Sequence, residues 1–234
     1  DETRSPESRK NLLSDYILLY LSQMLHELLF STLAFCCMIY AFHKGDVSMP
    51  LVFIVFMLYM PVVLYAQQLS GYLARQLRVI LKKQDYQHAR ERMAVMGKIL
   101  FYLILPVCAF LLAQANVVSA ALFDENKELT QLLQTGCIAA VFLALAICAR
   151  KLLSAMQRQF FCNGLTLAAL LAGCWFFTLL FGSGQHAGNA FLQAVFLTAL
   201  CLALAEFAMI STRVRFRADL LRMIVFPLVS AVLT

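Results

Sequence analysis

Residues 50–69 read "PLVFIVFMLYMPVVLYAQQL". The stretch holds no charged side chain and does not alternate polar with apolar residues. A helix rises 1.5 Å per residue, so roughly 20 residues cross a hydrocarbon core of about 30 Å. In lipid only a helix or a closed barrel satisfies its own backbone. An unbroken apolar run of this length predicts a transmembrane helix.

Five further stretches read the same way, at roughly 11–42, 96–118, 129–149, 159–181 and 188–210, and a partial one begins near 219. The whole composition agrees. The 234 residues are 62% hydrophobic and 14% charged, with a mean hydropathy of +0.78. A soluble domain averages roughly 45–50% apolar and about 25% charged. The expected fold is all-α: a polytopic membrane helical bundle of six complete transmembrane helices plus the start of a seventh. Residues 1–10, "DETRSPESRK", read as a cytoplasmic linker. Residues 11–210 read as the six-helix lobe, and 211–234 as a basic cytoplasmic loop leading into a further helix. The chain begins at Asp1 and ends inside an apolar run, as a piece of a longer protein would.

Charge sets the expected orientation. With the N-terminus in the cytoplasm, the inner segments hold Arg4, Arg9, Lys10, Arg75, Arg78, Lys82, Lys83, Arg90, Arg92, Lys98, Arg150, Lys151, Arg158, Arg213, Arg215, Arg217 and Arg222. The outer segments hold only Lys44 and Lys127. This asymmetry is a positive-inside signal, and it accounts for the net charge of +6 without nucleic acid, because basic loops face an anionic leaflet. The segment 73–93, "LARQLRVILKKQDYQHARERM", is too polar to insert and reads as a cytoplasmic helical extension or hairpin.

The outer turns are "HKGDVSM", "FDENKEL" and "GSGQHAGN". The middle one carries Asp124, Glu125 and Glu128, which a solvated acidic turn explains more simply than a bound cation. Eight cysteines lie inside apolar segments with no Cys-x-x-Cys pair, so they read as small buried hydrophobes. No disulfide framework or metal cluster is expected. His26, His43, His88 and His186 are scattered over different segments and both sides. A membrane enzyme gathers its acid, base or metal ligands at one face, so no catalytic site, and no enzyme, is expected.

The intramembrane polar residues carry the functional reading. "SQMLHELLFST" at 22–32 places Glu27 inside an apolar helix. Residues three and four apart share a helix face, and that face runs Tyr16, Tyr20, Gln23, Glu27, Ser31. A carboxylate at mid-bilayer costs about 3 kcal/mol or more, so protonation, pairing or a hydrated cavity must relieve it. Two readings fit. In one, Glu27 is neutral and joins helices. In the other, the stripe lines a transport cavity and Glu27 couples movement of Na+ or H+. Glu206, in "LALAEFAMI", is a second intramembrane carboxylate, about one turn from the basic loop, where Arg213 would pair with it. Gln67, Gln68 and Asn163 also lie near inner ends. Pro61 and Pro106 sit inside spans and would bend them, each freeing a carbonyl.

The stretch 85–123, "DYQHARERMAVMGKILFYLILPVCAFLLAQANVVSAALF", resembles the MATE/polysaccharide-flippase (MOP) superfamily, in its MurJ-like or polysaccharide-exporter branch. Those proteins have a short cytoplasmic helix, a span with a central Leu-Pro, and a small-residue stretch ending in Leu-Phe. Here these are Leu105-Pro106 and Leu122-Phe123, with Pro61 in the preceding span. "GSGQHAGNAF" at 182–191 resembles the outer turn between the last two helices of a lobe. The likeness spans roughly 10–215 and implies the C-terminal lobe of a flippase. Such proteins move polyprenyl-diphosphate-linked glycans across the bacterial inner membrane by rocking two lobes about a central cavity. The implied partners are membrane lipids, the lipid-linked glycan, and an N-terminal lobe in the same protein or a partner chain. Two features depart from the lipid II branch. Span two has no arginine near Phe56, and "CWFFTLLF" at 174–181 has no asparagine to help bind sodium. They leave open another polyprenyl-linked glycan, with the diphosphate held by the N-terminal lobe, or a degenerate lobe. The alternative is a flippase-like scaffold subunit of a glycan-assembly complex that has lost transport.

Overall fold

A computed structural model describes residues 35–45, 48–123, 126–156 and 159–214. The stripe Tyr16–Tyr20–Gln23–Glu27–Ser31, the 1–10 linker and the 219–234 segment lie outside the described residues. Among the described residues every regular element is helical. They are α1 (35–43), α2 (Met49–Lys82), α3 (Tyr86–Ala113), α4 (Ala115–Phe123), α5 (Lys127–Ala155), α6 (Gln159–Gly182) and α7 (Ala187–Val214). Five of them, α2, α3, α5, α6 and α7, are long and apolar enough to cross a membrane. The chain is therefore a multi-pass, all-α membrane protein by length and composition. The expected first span falls mostly outside the described residues.

α2 runs for 34 residues, about 50 Å at 1.5 Å per residue, and so outlasts a hydrocarbon core of about 30 Å. Its polar last third and the first turns of α3 form the expected helical hairpin. The turn between them is tight. Gln84 takes a left-handed φ of 57°. Asp85 then caps α3 by accepting from the His88 backbone N–H at 3.1 Å, and the His88 ring meets its other oxygen at 2.8 Å. The His88 N–H, with the ring beside it, holds this exposed carboxyl below its ordinary value. The hairpin is tied to α7, because Arg90 Nε donates to the Val214 carbonyl at 2.8 Å. A basic side chain thus satisfies a carbonyl in the last turn of a helix.

The third expected span, 96–118, is not one helix. It is interrupted at Gln114, which separates α3 from α4. The break is slight: Gln114 N–H still donates to Phe110, and Val118 N–H donates to Gln114, both at 2.9 Å. By contrast, α2 and α3 continue through Pro61 and Pro106. Asn126 caps α5, its side-chain oxygen accepting from Glu128 and Leu129. The residue before α2 meets the first turn of α7, since Ser48 Oγ accepts from the Gly188 backbone N–H at 2.8 Å.

The bundle is organised around α5, which packs against α2, α3, α4, α6 and α7. Its sequence explains why. It is apolar on all sides and rich in small residues: Gly136, Cys137, Ala139, Ala140, Ala144 and Ala149 are all buried. In lipid, helices associate by close packing rather than by hydrophobic exclusion, so small residues decide the contact. At Gly136 the approach is so close that a Cβ would stand 2.3 Å from Val55 Cγ1. One turn away Tyr59, 2% exposed, donates its hydroxyl to the Leu133 carbonyl at 2.9 Å. The Cys137 thiol donates to the Cys108 carbonyl at 3.1 Å. α6 shows the complementary pattern. Leu167, Leu171, Trp175 and Leu179 are exposed at four-residue spacing, one face of the helix, which fits contact with lipid.

Candidate functional site

Glu206 is where the polar chemistry of the described bundle gathers. It lies on α7, two turns before Val214, and is 1% exposed. Three helices build its surroundings. Arg150 comes from the last two turns of α5, and Asn163 and Thr166 from the first two turns of α6. Arg150 Nη1 donates to Thr166 Oγ1 at 2.9 Å, and Nη2 donates to Asn163 Oδ1 at 3.2 Å. Thr166 in turn donates to the Cys162 carbonyl at 2.8 Å. Positions 163 and 166 are three apart on a helix, so they face the same way, and one guanidinium spans both. That forked geometry suits arginine and not lysine.

The charges are close without touching. Arg150 is the cation whose field acts on Glu206, and Glu206 acts on Arg150 in return. Glu206 Oε2 has no hydrogen-bond partner among the described residues. Arg150 is half-buried, whereas Glu206 is closed off from solvent.

The span expected over 129–149 is longer in the structure, and Arg150 lies within it. α5 continues to Ala155, beyond the expected boundary at 149, and carries Arg150 into the bundle. The pairing of Glu206 with Arg213 involves a side chain outside the described residues; the cation described facing Glu206 is Arg150. From the sequence alone Asn163 lies near an inner end and Thr166 does not stand out. An Asn-x-x-Thr pair at the start of an apolar helix, one loop after an arginine, is the sequence signal that points to them. Of the remaining candidates, Pro61 and Pro106 sit inside α2 and α3. The five-residue stripe through Glu27 lies outside the described residues.

Among the described residues no group of three or more His, Cys, Asp or Glu side chains is placed to hold a metal ion. A small void between α1, α6 and α7, lined by Cys37, Gly173, Phe177, Phe191 and Thr198, has a volume of about 10 Å³, room for about one water and far too little for a sugar. The arrangement can hold and exchange charge. No protein-family model matches the chain, and no curated protein matches it.

Proposed function

We propose that this chain is a transport lobe of a membrane flippase that moves a polyprenyl-diphosphate-linked glycan across the bacterial inner membrane for cell-envelope or exopolysaccharide assembly. The observation that carries the reading is the Arg150–Asn163–Thr166–Glu206 cluster inside an apolar bundle. Burying an arginine and a carboxylate costs several kcal/mol per ion unless they are well compensated. A purely anchoring bundle needs neither. The resemblance of residues 85–123 and 182–191 to the MOP superfamily supplies the class of cargo. In this reading the α2–α3 hairpin and the α5–α6 connection face the cytoplasm, where the basic residues concentrate.

The test is export by the full-length protein in cells depleted of it. Glu27→Gln keeps shape and hydrogen bonding while removing the charge. It is expected to express normally and to cut export at least tenfold, and Glu27→Leu more so, because it also strands the polar neighbours of Glu27. Full export by a normally expressed Glu27→Gln protein removes the coupling role and leaves Glu27 as a helix–helix contact. If lipid-linked glycan does not accumulate in the depleted cells, the scaffold alternative replaces transport.

A further inference from the structure

We propose that Glu206, with Arg150 as its fixed counter-charge, is a buried proton-exchange site joining α5, α6 and α7. The inference deepens the reading of this cluster as a functional site and does not depend on which glycan is moved. Three observations carry it.

The first is the state of the carboxyl. Glu206 is buried and its Oε2 has no partner among the described residues. An ionised carboxylate with an unpartnered oxygen in an apolar bundle is costly, whereas a carboxyl holding a proton is far less so. Arg150 acts in the opposite sense, since a nearby positive charge favours the ionised form. It acts from a distance, with no N···O approach within 4.0 Å, so neither state is locked by a direct ion pair.

The second observation selects the proton over a metal cation. A metal ion needs several free oxygen donors. Asn163 Oδ1 and Thr166 Oγ1 already accept from Arg150, and Thr166 donates its own proton to the Cys162 carbonyl. Only the Glu206 oxygens remain, and the guanidinium beside them repels a second cation. A proton needs one oxygen and leaves the Arg150 bonds intact.

The third is access. Arg150 is half-buried while Glu206 is closed off, so a proton reaches the carboxyl along the arginine side of the cluster. The groups that face Glu206 are few. From α5 it is Arg150, and from α6 the Cys162 thiol, which lies within reach of the Glu206 charge. Among the described residues α2 and α3 bring no charged group to it. Arg90 of α3 is engaged with the Val214 carbonyl, two turns further along α7. The side chain of Arg213 lies outside the described residues.

The test uses the full-length protein in lipid nanodiscs and infrared difference spectra between mildly acidic and mildly alkaline buffer, in H2O and D2O. The wild type is expected to show a protonated-carboxyl band that appears on acidification and shifts in D2O. Glu206→Gln is expected to remove that band and keep the other carboxyl signals. Arg150→Gln is expected to move the midpoint of the band toward alkaline pH by a factor of ten or more in proton concentration. Should Glu206→Gln fail to fold, Glu206→Asp decides, since it must retain the band at a changed frequency. A wild-type spectrum with no pH-dependent carboxyl band, or a band that Glu206→Gln and Glu206→Asp both leave unchanged, overturns the proposal. A wild-type protein that shows the Glu206 band, in cells where depleting it leaves glycan export unchanged, would count against the flippase reading and leave this one standing.

Discussion

Gly136→Ala lowers the stability of the purified protein by about 1–3 kcal/mol, the range for overpacking a well-filled interior. The added methyl would lie 2.3 Å from Val55 Cγ1 and 3.3 Å from Tyr59 Cε2. Val55 is β-branched and stiff at χ1, so it cannot swing away as a long flexible side chain would. Moving α2 outward instead would strain the Tyr59–Leu133 hydrogen bond. Gly136→Leu should be worse and should leave little folded protein. The companion variant is Val55→Ala. Alone it opens a cavity and costs about 1–2 kcal/mol; with Gly136→Ala it makes room for the new methyl, and the double variant should be more stable than Gly136→Ala alone. Thermal unfolding in detergent measures all three. Independent, additive losses would mean that α2 and α5 do not meet at this point, and the α5-centred bundle would need to be redrawn.

Arg150→Ala should cost about 2–3 kcal/mol. Removing one partner of a buried charge pair typically costs roughly 3–5 kcal/mol. The lower figure applies because Arg150 is half-buried and does not touch Glu206. Two terms add to the loss. The side chains of Asn163 and Thr166 lose their shared donor, and Glu206 is left buried without a facing cation. Adding Glu206→Gln to Arg150→Ala removes the second term and should recover part of the stability. Arg150→Lys should recover less than the charge alone would suggest, because an ammonium cannot span the oxygens of residues 163 and 166 as a planar fork does. The same denaturation measurement decides. An Arg150→Ala protein as stable as the wild type would place Arg150 in solvent and dissolve the cluster.

Much of the architecture was readable from hydropathy alone, as 50–69 shows. An uncharged run of that length has few physical outcomes other than a membrane helix, and the structure extends it into α2. The hairpin at 73–93 was readable because its charges cannot enter lipid while its helix formers continue across the boundary. The break at Gln114 was not readable. Its flanks are apolar, no proline or glycine marks it, and its helical hydrogen bonds persist on both sides. The cluster around Glu206 was half visible. A lone carboxylate in an apolar run stands out, but its neighbour Arg150 sat one residue past the expected end of a span. Hydropathy reports composition along the chain. It does not report which way a terminal residue turns, and α5 runs far enough to carry Arg150 inward. The contact between Ser48 and Gly188 was hidden for a related reason: it joins two segments far apart in the chain, and neither alone signals the other.

The central claim, that this chain is a lobe of a lipid-linked glycan flippase, is tested most directly by leaflet transfer. The full-length protein is reconstituted into vesicles carrying a fluorescent polyprenyl-diphosphate oligosaccharide, and a membrane-impermeant quencher reports how much of the lipid is reachable from outside. The account predicts that the quenched fraction rises from about half, the value for a symmetric vesicle without transfer, toward completeness when a proton or sodium gradient is applied. It predicts that Glu27→Gln slows the rise at least tenfold. Quenching that stays at the protein-free level under both gradients, with folded and correctly inserted protein, would contradict transport by this lobe.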